Sequence, residues 1–336
     1  MPAWGKGLAG AAGAVFLLTL PQALEPYQTH ILVLVCIYAY VGGAWNILGG
    51  FCGQLSFGHA LYLGIGAYTS TLLLLRLQVN PWIGMAAGAG MAALAGVGLA
   101  FVSFHYKLRE FYFGLVTMAS VEIARLLALN IKAVGAAEGL YVPVQQEGLL
   151  AFQFSGKTGY YYIALGILAA GLLLARRLRN SKAGYYMLAI RENEDAARAL
   201  GIPVMRYKLV AAAISAGLTA AGGTFMAQFT TFVDPYTFFH IDVSVQTVIY
   251  AVVGGIGTVY GPVAGALLLI PISETIRGHL GNAFAWAHLL IFGLVLIVVM
   301  MFSPGGLMGL WQSWRERRRA HSPAAGTPEL GAGRAA

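Results

Sequence analysis

The stretch "AIRENEDAARALGIPVMRYKLVAAAISAGLTAAGGT", Ala189–Thr224, joins a short charged segment to a long run of small and apolar residues. The charged segment, Arg191–Gly201, stands out because the chain is only 10% charged and is 58% hydrophobic. Soluble domains are typically about 25% charged. We therefore predict an all-α polytopic integral membrane helical bundle, in which Arg191–Gly201 forms a short helix outside the membrane.

The apolar runs predict the number of membrane spans. A transmembrane helix needs about 20 mostly apolar residues. Ten runs come close to this length, and the first lacks a clean small-residue cleavage site, so we interpret it as a retained span and not as a signal peptide. Two short runs adjoin the Gly-rich stretches Gly49–Gly66 and Gly254–Gly265, and eight spans also fit if these stretches are re-entrant. The ten runs are residues 8–24, 31–50, 59–75, 81–104, 111–130, 158–175, 208–229, 243–257, 260–276 and 284–302.

The loops between these runs differ in charge. The segment 176–208 carries eight Lys or Arg and three acidic residues, and the C-terminal "WRERRR" is also basic. The loop 131–157 is balanced, and the loop 230–242 has no Lys or Arg. Because cytoplasmic loops carry an excess of Lys and Arg, we predict that the 176–208 loop and both termini are cytoplasmic. Residues 1–310 form the predicted transmembrane domain, and 311–336 a basic, disordered cytoplasmic tail.

Several functional classes lack support in the composition. The net charge of +8 arises from short loops and the tail, so we expect no nucleic-acid partner. Cys36 and Cys52 lie in or beside apolar runs and indicate neither a disulfide framework nor a metal site. A membrane enzyme needs Asp, Glu or His clustered near one membrane face, whereas the histidines are scattered without acidic partners. We therefore predict no catalytic residues.

The charged segment is predicted to be helical. Nothing between Tyr185 and Leu200 breaks a helix, and Glu194 and Arg198 have the i, i+4 spacing of a helix ion pair. Gly201 is a favourable C-terminal stop. The helix either sets topology only or docks on a cytoplasmic partner through a partial apolar stripe. The residues of that stripe are Met187, Ile190, Ala197 and Leu200.

The Gly-rich stretches are candidates for the translocation pathway. Transporters often break helices near the membrane midplane, where exposed backbone groups contact the solute. The alternative is a polar cluster satisfied at a helix contact, and the sequence does not decide between the two. The pathway candidates are Gln54, Ser56 and His59 in the first stretch and Gly254, Gly255 and Gly257 in the second.

Glu122 and Arg125 lie three residues apart inside the predicted span 111–130. Charges inside a membrane are costly and often functional. An oppositely charged pair on one helix is the least costly way to hold both, so we favour a structural intramembrane ion pair. Without Glu122, Arg125 would be buried without a partner. Glu274 and Arg277 repeat this spacing nearer a span end. The absence of other buried acids argues against coupling to protons or sodium.

Several stretches resemble a known transporter family. "DAARALG", Asp195–Gly201, resembles the coupling-helix signature of bacterial ABC importer permeases. The run Ala189–Thr224 is similar to branched-chain amino acid permeases of LivM type. Three further stretches match the same family in order. These are "GQLSFGHALYLGIGAYTS" (Gly53–Ser70), "YFGLVTMASVEIARLLALN" (Tyr112–Asn130) and "VVGGIGTVYGPVAGALLL" (Val252–Leu269).

The resemblance implies a fold of the ABC importer permease type and an assembly in the bacterial inner membrane. Its expected partners are a second related permease subunit, two cytoplasmic ATP-binding subunits and an extracytoplasmic solute-binding protein. ATP and Mg would bind the ATPase, and this chain would hold no cofactor. The expected solutes are branched-chain or other hydrophobic amino acids, with urea, short amides or aromatic acids as alternatives. The residues implied in coupling to the ATPase are Arg191, Glu192, Glu194, Asp195, Ala196, Ala197 and Gly201.

Two other functional classes are kept for comparison. An ion-coupled carrier would transport its solute without an ATPase, under an ion gradient alone. A polytopic membrane enzyme would need the clustered side chains that the sequence lacks.

Overall fold

A computed structural model describes residues 16–106, 108, 110–144, 147–280, 287–302 and 305–320. The described chain is an all-α bundle with a two-residue antiparallel pairing between loops, β1 (Leu140–Tyr141) and β2 (Phe232–Val233). Short 3-10 turns lie at Leu20–Gln22, Lys132–Val134 and Ala136–Glu138, and a π-helical turn at Ile47–Phe51. The α-helices are α1 (Pro26–Asn46), α2 (His59–Leu77), α3 (Pro81–His105), α4 (Glu110–Asn130), α5 (Lys157–Arg179), α6 (Lys182–Glu192), α7 (Glu194–Ala199), α8 (Val204–Thr230), α9 (Pro235–Phe238), α10 (Ile241–Gly254), α11 (Gly261–Leu280), α12 (Ala287–Phe302) and α13 (Gly306–Ala320).

Nine of the ten predicted spans coincide with helices. Within the described ranges, seven segments are long and apolar enough to cross a membrane. The ninth and tenth predicted spans correspond to α11 and to α12, which is only 16 residues long. Of the first predicted span, 8–24, residues 8–15 lie outside the described residues, and Leu20–Gln22 form a short 3-10 turn. The seven segments are Pro26–Phe51, His59–Leu77, Pro81–His105, Phe111–Asn130, Lys157–Arg179, Val204–Thr230 and Pro235–Gly254.

Successive helices run in alternating directions, so the loops gather at two ends of the bundle. At one end, which we call the coupling end, the segments 47–58, 180–203 and 255–260 meet. Arg191 Nη1 donates a hydrogen bond to Gly50 O at 2.7 Å there. The 176–208 loop therefore lies beside both Gly-rich stretches.

The opposite end is formed by the segments 78–80, 131–156 and 231–240. Asn80 Nδ2 donates to Leu150 O at 2.7 Å, and the backbone N–H of Val142 donates to Thr231 O at 2.9 Å. These bonds satisfy loop backbone groups and join the two long loops at one end of the bundle.

Small side chains allow the central helices to approach closely. A stripe at every fourth position of α3 is buried against α2 and α8. A Cβ added at Gly96 would lie 2.8 Å from the Cβ of Ala216, and one at Gly88 would lie 3.1 Å from the Cα of Gly66. Such small-residue faces are the usual contact between transmembrane helices. The stripe consists of Gly84, Gly88, Ala92, Gly96 and Ala100.

The prediction of a disordered tail was wrong for its first part. Helix α13 extends from Gly306 to Ala320 and therefore covers residues 311–320 of that tail. Its hydrophobic positions come first and its basic run "RERRR" last, and cations are favourable at a helix C-terminus. The remainder, 321–336, lies outside the described residues.

Candidate functional site

The charged segment forms two helices, not the single helix that the sequence predicts. Asn193 interrupts it with an extended backbone (φ −160°, ψ 110°) and ends α6. Its side-chain Oδ1 then accepts a hydrogen bond from Ala196 N at 2.9 Å and so caps the N-terminus of α7. Asparagine is among the best N-cap residues because its side chain replaces a missing helical acceptor. The break lets α7 turn away from α6.

One side of α6 and α7 is anchored in the protein. Met187, Ile190 and Ala197 are buried in an apolar cluster at the coupling end. Leu200 was predicted to join this stripe, but it is 81% exposed, because the chain has already left α7. Gly201 follows with φ +80°, a conformation that favours glycine, and ends the turn. The loop therefore has an apolar inner side and an exposed tip.

Most of the predicted coupling residues lie on that tip. Glu192, Asp195, Ala196 and Gly201 are exposed, and the Asp195 side chain is 93% exposed. An open apolar groove of about 720 Å³ adjoins the tip, between α8 and the end of α3. Exposed charges beside an apolar groove form a surface suited to a protein partner.

Glu194 connects the tip to the membrane domain. One carboxylate oxygen accepts from Arg198 at 2.9 Å, as the i, i+4 spacing predicts. The other lies 2.5 Å from Lys208 Nζ, on α8. The Lys208 side chain is only 7% exposed, and its ammonium lies 4.7 Å from the ring centre of Phe104. A buried ammonium held by one carboxylate fixes α7 to α8.

Arg191 is an exposed residue, but its side chain joins the coupling loop to both Gly-rich stretches. In addition to the bond to Gly50 O, Arg191 packs closely against Gly53. A Cβ added to Gly53 would lie 3.1–3.3 Å from Cγ, Cα and Cβ of Arg191. A Cβ on Gly257 would overlap the Arg191 guanidinium. We call this meeting point of Gly50, Gly53 and Gly257 the glycine junction. Of the predicted coupling residues, Arg191 therefore contacts both Gly-rich stretches directly.

Asn46 closes the glycine junction from the other side. Its Oδ1 accepts from Gly257 N at 2.8 Å, and its Nδ2 donates to Thr258 O at 2.8 Å. These two bonds tie the end of α1 to the turn between α10 and α11. Gly254 ends α10 and is buried, and Gly255 continues the turn with φ +126°. These glycines therefore lie at the coupling end, beside Arg191.

The segment 52–58 returns into the bundle without helical structure. Its backbone groups find partners in the protein: Phe57 N donates to Thr117 Oγ1 at 3.0 Å, and Ser56 O accepts from Trp45 Nε1 at 2.8 Å. Non-helical backbone at membrane depth requires such partners. The break predicted from the glycines is therefore present, in the first stretch.

His59 begins α2 inside the bundle. Its Nε2 lies 2.8 Å from Ser215 Oγ, which is eleven residues, or about 16 Å, along α8 from its start. Ser215 donates its own hydrogen to Ala44 O at 2.7 Å, so His59 Nε2 is the donor to Ser215. Gln54, Ser56 and His59 are all buried within this chain.

Glu122 and Arg125 form the predicted ion pair, but the pair is not buried. Arg125 Nε donates to Glu122 Oε2 at 2.9 Å, and Arg125 Nη2 contacts Glu122 Oε1. The Glu122 side chain is 53% exposed and the Arg125 side chain 22% exposed, because α4 packs at the edge of the bundle. The expectation that a lone Arg125 would be buried within this chain is therefore wrong.

The chain is similar to known permeases. A family described as branched-chain amino acid transport system / permease component matches residues 27–300. The chain belongs to this family. It is 28% identical to the high-affinity branched-chain amino acid transport system permease protein LivM of Escherichia coli K12, covering 91% of this chain and 81% of that protein. No solved structure matches the chain.

Two further relatives differ in their named roles. The permease is 25% identical to the LivH protein of the same high-affinity system in Escherichia coli K12, over 81% of this chain and 91% of that one. It is 28% identical to the L-arabinose transport system permease protein AraH of Escherichia coli K12, over 70% of each chain. The protein is thus a multi-pass membrane permease component of a transport system and not an enzyme.

Sequence reasoning missed three residues of the permease's coupling end. Lys208 was counted only as a loop cation, although a single Lys at the start of an apolar run signals a need for a partner. Asn46 is the one amide in the apolar run 31–50 and could have been identified in the same way. Asn193 is a helix-capping type between acidic residues, a position typical of a helix start.

Proposed function

We propose that this chain is one of two permease subunits of an ATP-driven ABC importer, and that it carries branched-chain or other hydrophobic amino acids inward. The second subunit would be a related permease. Two cytoplasmic subunits would bind ATP and Mg and hydrolyse ATP, and an extracytoplasmic protein would deliver the solute. The membrane would be the bacterial inner membrane, with both termini in the cytoplasm. This orientation is supported by the basic residues of the 176–208 loop at the coupling end.

The observation that carries the proposal is the construction of the coupling loop. Its tip is exposed and charged, while Met187, Ile190 and Ala197 are buried beneath it. The Glu194–Lys208 pair fixes α7 to the first turns of α8. A loop whose only role is to set the orientation of the chain in the membrane needs none of these internal contacts. A helix that receives a push from a partner needs all of them, because a loosely attached helix would yield instead of moving the bundle.

Arg191 would transmit a movement of the coupling loop to the glycine junction. A displacement of α6 moves the guanidinium, and Arg191 is bonded to Gly50 O and packs against Gly53 and Gly257. The glycine junction joins the π-helical turn after α1 to the turn between α10 and α11. At such a π-helical turn and at such an interhelical turn, helices can tilt without breaking regular α-helical hydrogen bonds. The coupling loop would thus change the tilt of α1, α10 and α11.

The choice of an amino acid as the solute rests on family likeness. LivM and LivH are named for branched-chain amino acids, whereas AraH is named for L-arabinose. Permeases similar in sequence to this chain are thus named for different solutes. Urea, short amides and aromatic acids are the alternatives for this chain.

Uptake by the reconstituted transporter tests this function. The complex co-purified with this chain would be placed in vesicles with its binding protein, and leucine uptake would be measured with and without ATP and with urea or benzoate as competitors. We expect ATP-dependent leucine uptake that neither competitor inhibits. Uptake driven by an ion gradient without ATP would refute the proposal.

A variant pair tests the coupling step in the same preparation. Arg191→Met should preserve ATP hydrolysis but lower leucine uptake, because the loop loses its bond to Gly50. The matched control, Arg177→Met, removes an exposed cation at the end of α5 and should leave uptake unchanged. Equal uptake by both variants would contradict the role assigned to Arg191.

A further inference from the structure

Glu122 and Arg125 lie on an exposed face that is otherwise apolar. Glu122 is eight residues, or about 12 Å, from the outer end of α4, too far for its short side chain to reach the membrane surface. Exposed neighbours one and two turns earlier are Met118 and Leu115. In a membrane, charged side chains face a bundle interior or a water-filled cavity and not lipid. This face of α4 therefore borders a polar space outside the single chain.

The exposed helices α3 and α5 do not share this feature. On α3, the exposed large side chains from Ile83 to Val102 are all apolar. On α5, the exposed residues between Tyr162 and Leu174 are apolar or small. These faces suit lipid. Among the exposed faces of α3, α4 and α5, only that of α4 presents charges in its membrane-spanning part.

Polar groups from the outer loop extend the pair toward the opposite end. The ring centre of Tyr236, on α9, lies 5.8 Å from Arg125 Cζ. His240 Nδ1 lies 3.3 Å from Asp242 Oδ2. The interpretation of the histidines as lacking acidic partners is therefore wrong for His240. We call Glu122, Arg125, Tyr236, His240 and Asp242 the polar strip.

The chemistry of the pair matches the headgroup of an amino acid. A zwitterion carries a carboxylate and an ammonium two bonds apart on one carbon. Arg125 offers a planar donor fork for the carboxylate, and Glu122 offers an acceptor for the ammonium. A zwitterion can enter between them and replace one internal ion pair by two new ones, so that no charge is left uncompensated. A solute with a single charge would leave one side chain unpaired.

We propose that Glu122 and Arg125 bind the headgroup of the amino acid during transport, with the solute carboxylate at Arg125 and its ammonium at Glu122. The polar strip would form the wall of the aqueous pathway on this subunit, between it and the second permease. This inference rests on the proposed importer function and adds the solute-contacting residues to it. It also explains why the pair lies on the surface of the single chain.

Charge-neutral variants of the complete transporter test the proposal. Glu122→Gln and Arg125→Gln, alone and combined, would be assembled with all partner subunits and assayed for leucine uptake and for basal ATP hydrolysis. We expect each variant, including the double variant, to lose about tenfold or more of its uptake, since each removes a charge-assisted contact. Basal ATP hydrolysis and subunit composition should stay at the wild-type level. The charge-exchanged variant Glu122→Arg/Arg125→Glu should recover part of the uptake, because both counter-charges are present again.

Glu274 and Arg277 provide a matched control. They have the same i, i+3 spacing and a 3.0 Å contact between Arg277 Nη1 and Glu274 Oε1, but on α11. The double neutral variant of this pair should transport leucine normally. A merely structural role for Glu122 and Arg125 predicts that their double neutral variant also transports normally, and that result would overturn the proposal.

Two further outcomes are distinct. Loss of the second permease from the complex of the double variant would identify the strip as a subunit contact and would also overturn the proposal. Failure of the wild-type transporter to take up leucine with ATP would refute the importer function itself, before any variant is compared.

Discussion

Replacing Glu194 should disturb the coupling end more than any other single charge removal there. Glu194→Gln removes the carboxylate at 2.5 Å from Lys208 Nζ and leaves an ammonium that is 7% exposed without a counter-charge. Breaking a fully buried pair in this way costs about 3–5 kcal/mol. Glu194 is 38% exposed, and a cleft of about 230 Å³ beside Lys208 gives water partial access. The expected cost is therefore lower, about 2 kcal/mol.

The local opening of α7 reports this cost. A loss of about 2 kcal/mol raises the open population about 30-fold, so amide hydrogen exchange in Glu194–Ala199 and in the first turn of α8 should accelerate by about that factor. Measurement on the assembled transporter separates local opening from global unfolding, because exchange in α2 and α3 should not change.

Two companion variants make the reasoning refutable. Lys208→Met removes the charge that needs compensation and leaves Glu194 paired with Arg198, so its exchange should change less than that of Glu194→Gln. The combined Glu194→Gln/Lys208→Met variant should exchange more slowly than Glu194→Gln alone. Asp195→Asn is the matched surface control, since Asp195 makes only an exposed 3.4 Å contact with Arg198. Equal acceleration in all these variants would show that the buried ammonium has no special role.

Three other predictions concern packing, the glycine junction and the tip. Gly96→Ala should lower the melting temperature of the detergent-solubilised protein, because the added Cβ would lie 2.8 Å from the Cβ of Ala216. Gly98→Ala should not lower it, because no atom lies within 4 Å of the added Cβ. Equal shifts in melting temperature would count against the packing stripe. Asn46→Ala should destabilise the protein by about 2 kcal/mol through the loss of two hydrogen bonds, measured by denaturant unfolding; an unchanged midpoint would show that the α1 contact is dispensable. Leu200→Ser should leave melting unchanged but reduce the ATPase recovered with the chain, and full recovery would argue that the exposed leucine makes no contact.

Much of the fold follows from local sequence patterns. The apolar runs locate the helices because the thickness of the hydrocarbon core sets their length. The stripe of Gly84, Gly88, Ala92, Gly96 and Ala100 is buried in one face of α3, since its four-residue period matches the helix. The Glu194–Arg198 pair and the stop at Gly201 are also local features, and both are present.

The coupling site depends on contacts that no local pattern contains. Arg191 reaches Gly50, which is 141 residues away in sequence, and Asn46 reaches Thr258. Only the packed bundle brings them together. Asn193 could have been helical by propensity, but its capping bond to Ala196 makes a new helix start more favourable. The sequence predicts burial of Glu122 with Arg125, because it does not reveal that α4 packs at the edge of the bundle and leaves Glu122 53% exposed.

The most direct test of the coupling mechanism is a crosslink from the exposed tip. The two native cysteines, Cys36 and Cys52, are buried. In the Asp195→Cys variant, a crosslinker therefore reacts at the introduced cysteine. Glu138→Cys, on the exposed loop at the opposite end, is the control. We predict that Asp195→Cys forms a covalent product with a nucleotide-hydrolysing subunit in native membranes and that Glu138→Cys does not. A chain that remains alone in both variants, or that crosslinks equally from both ends, would contradict the assignment of α7 as the helix that couples ATP hydrolysis to transport.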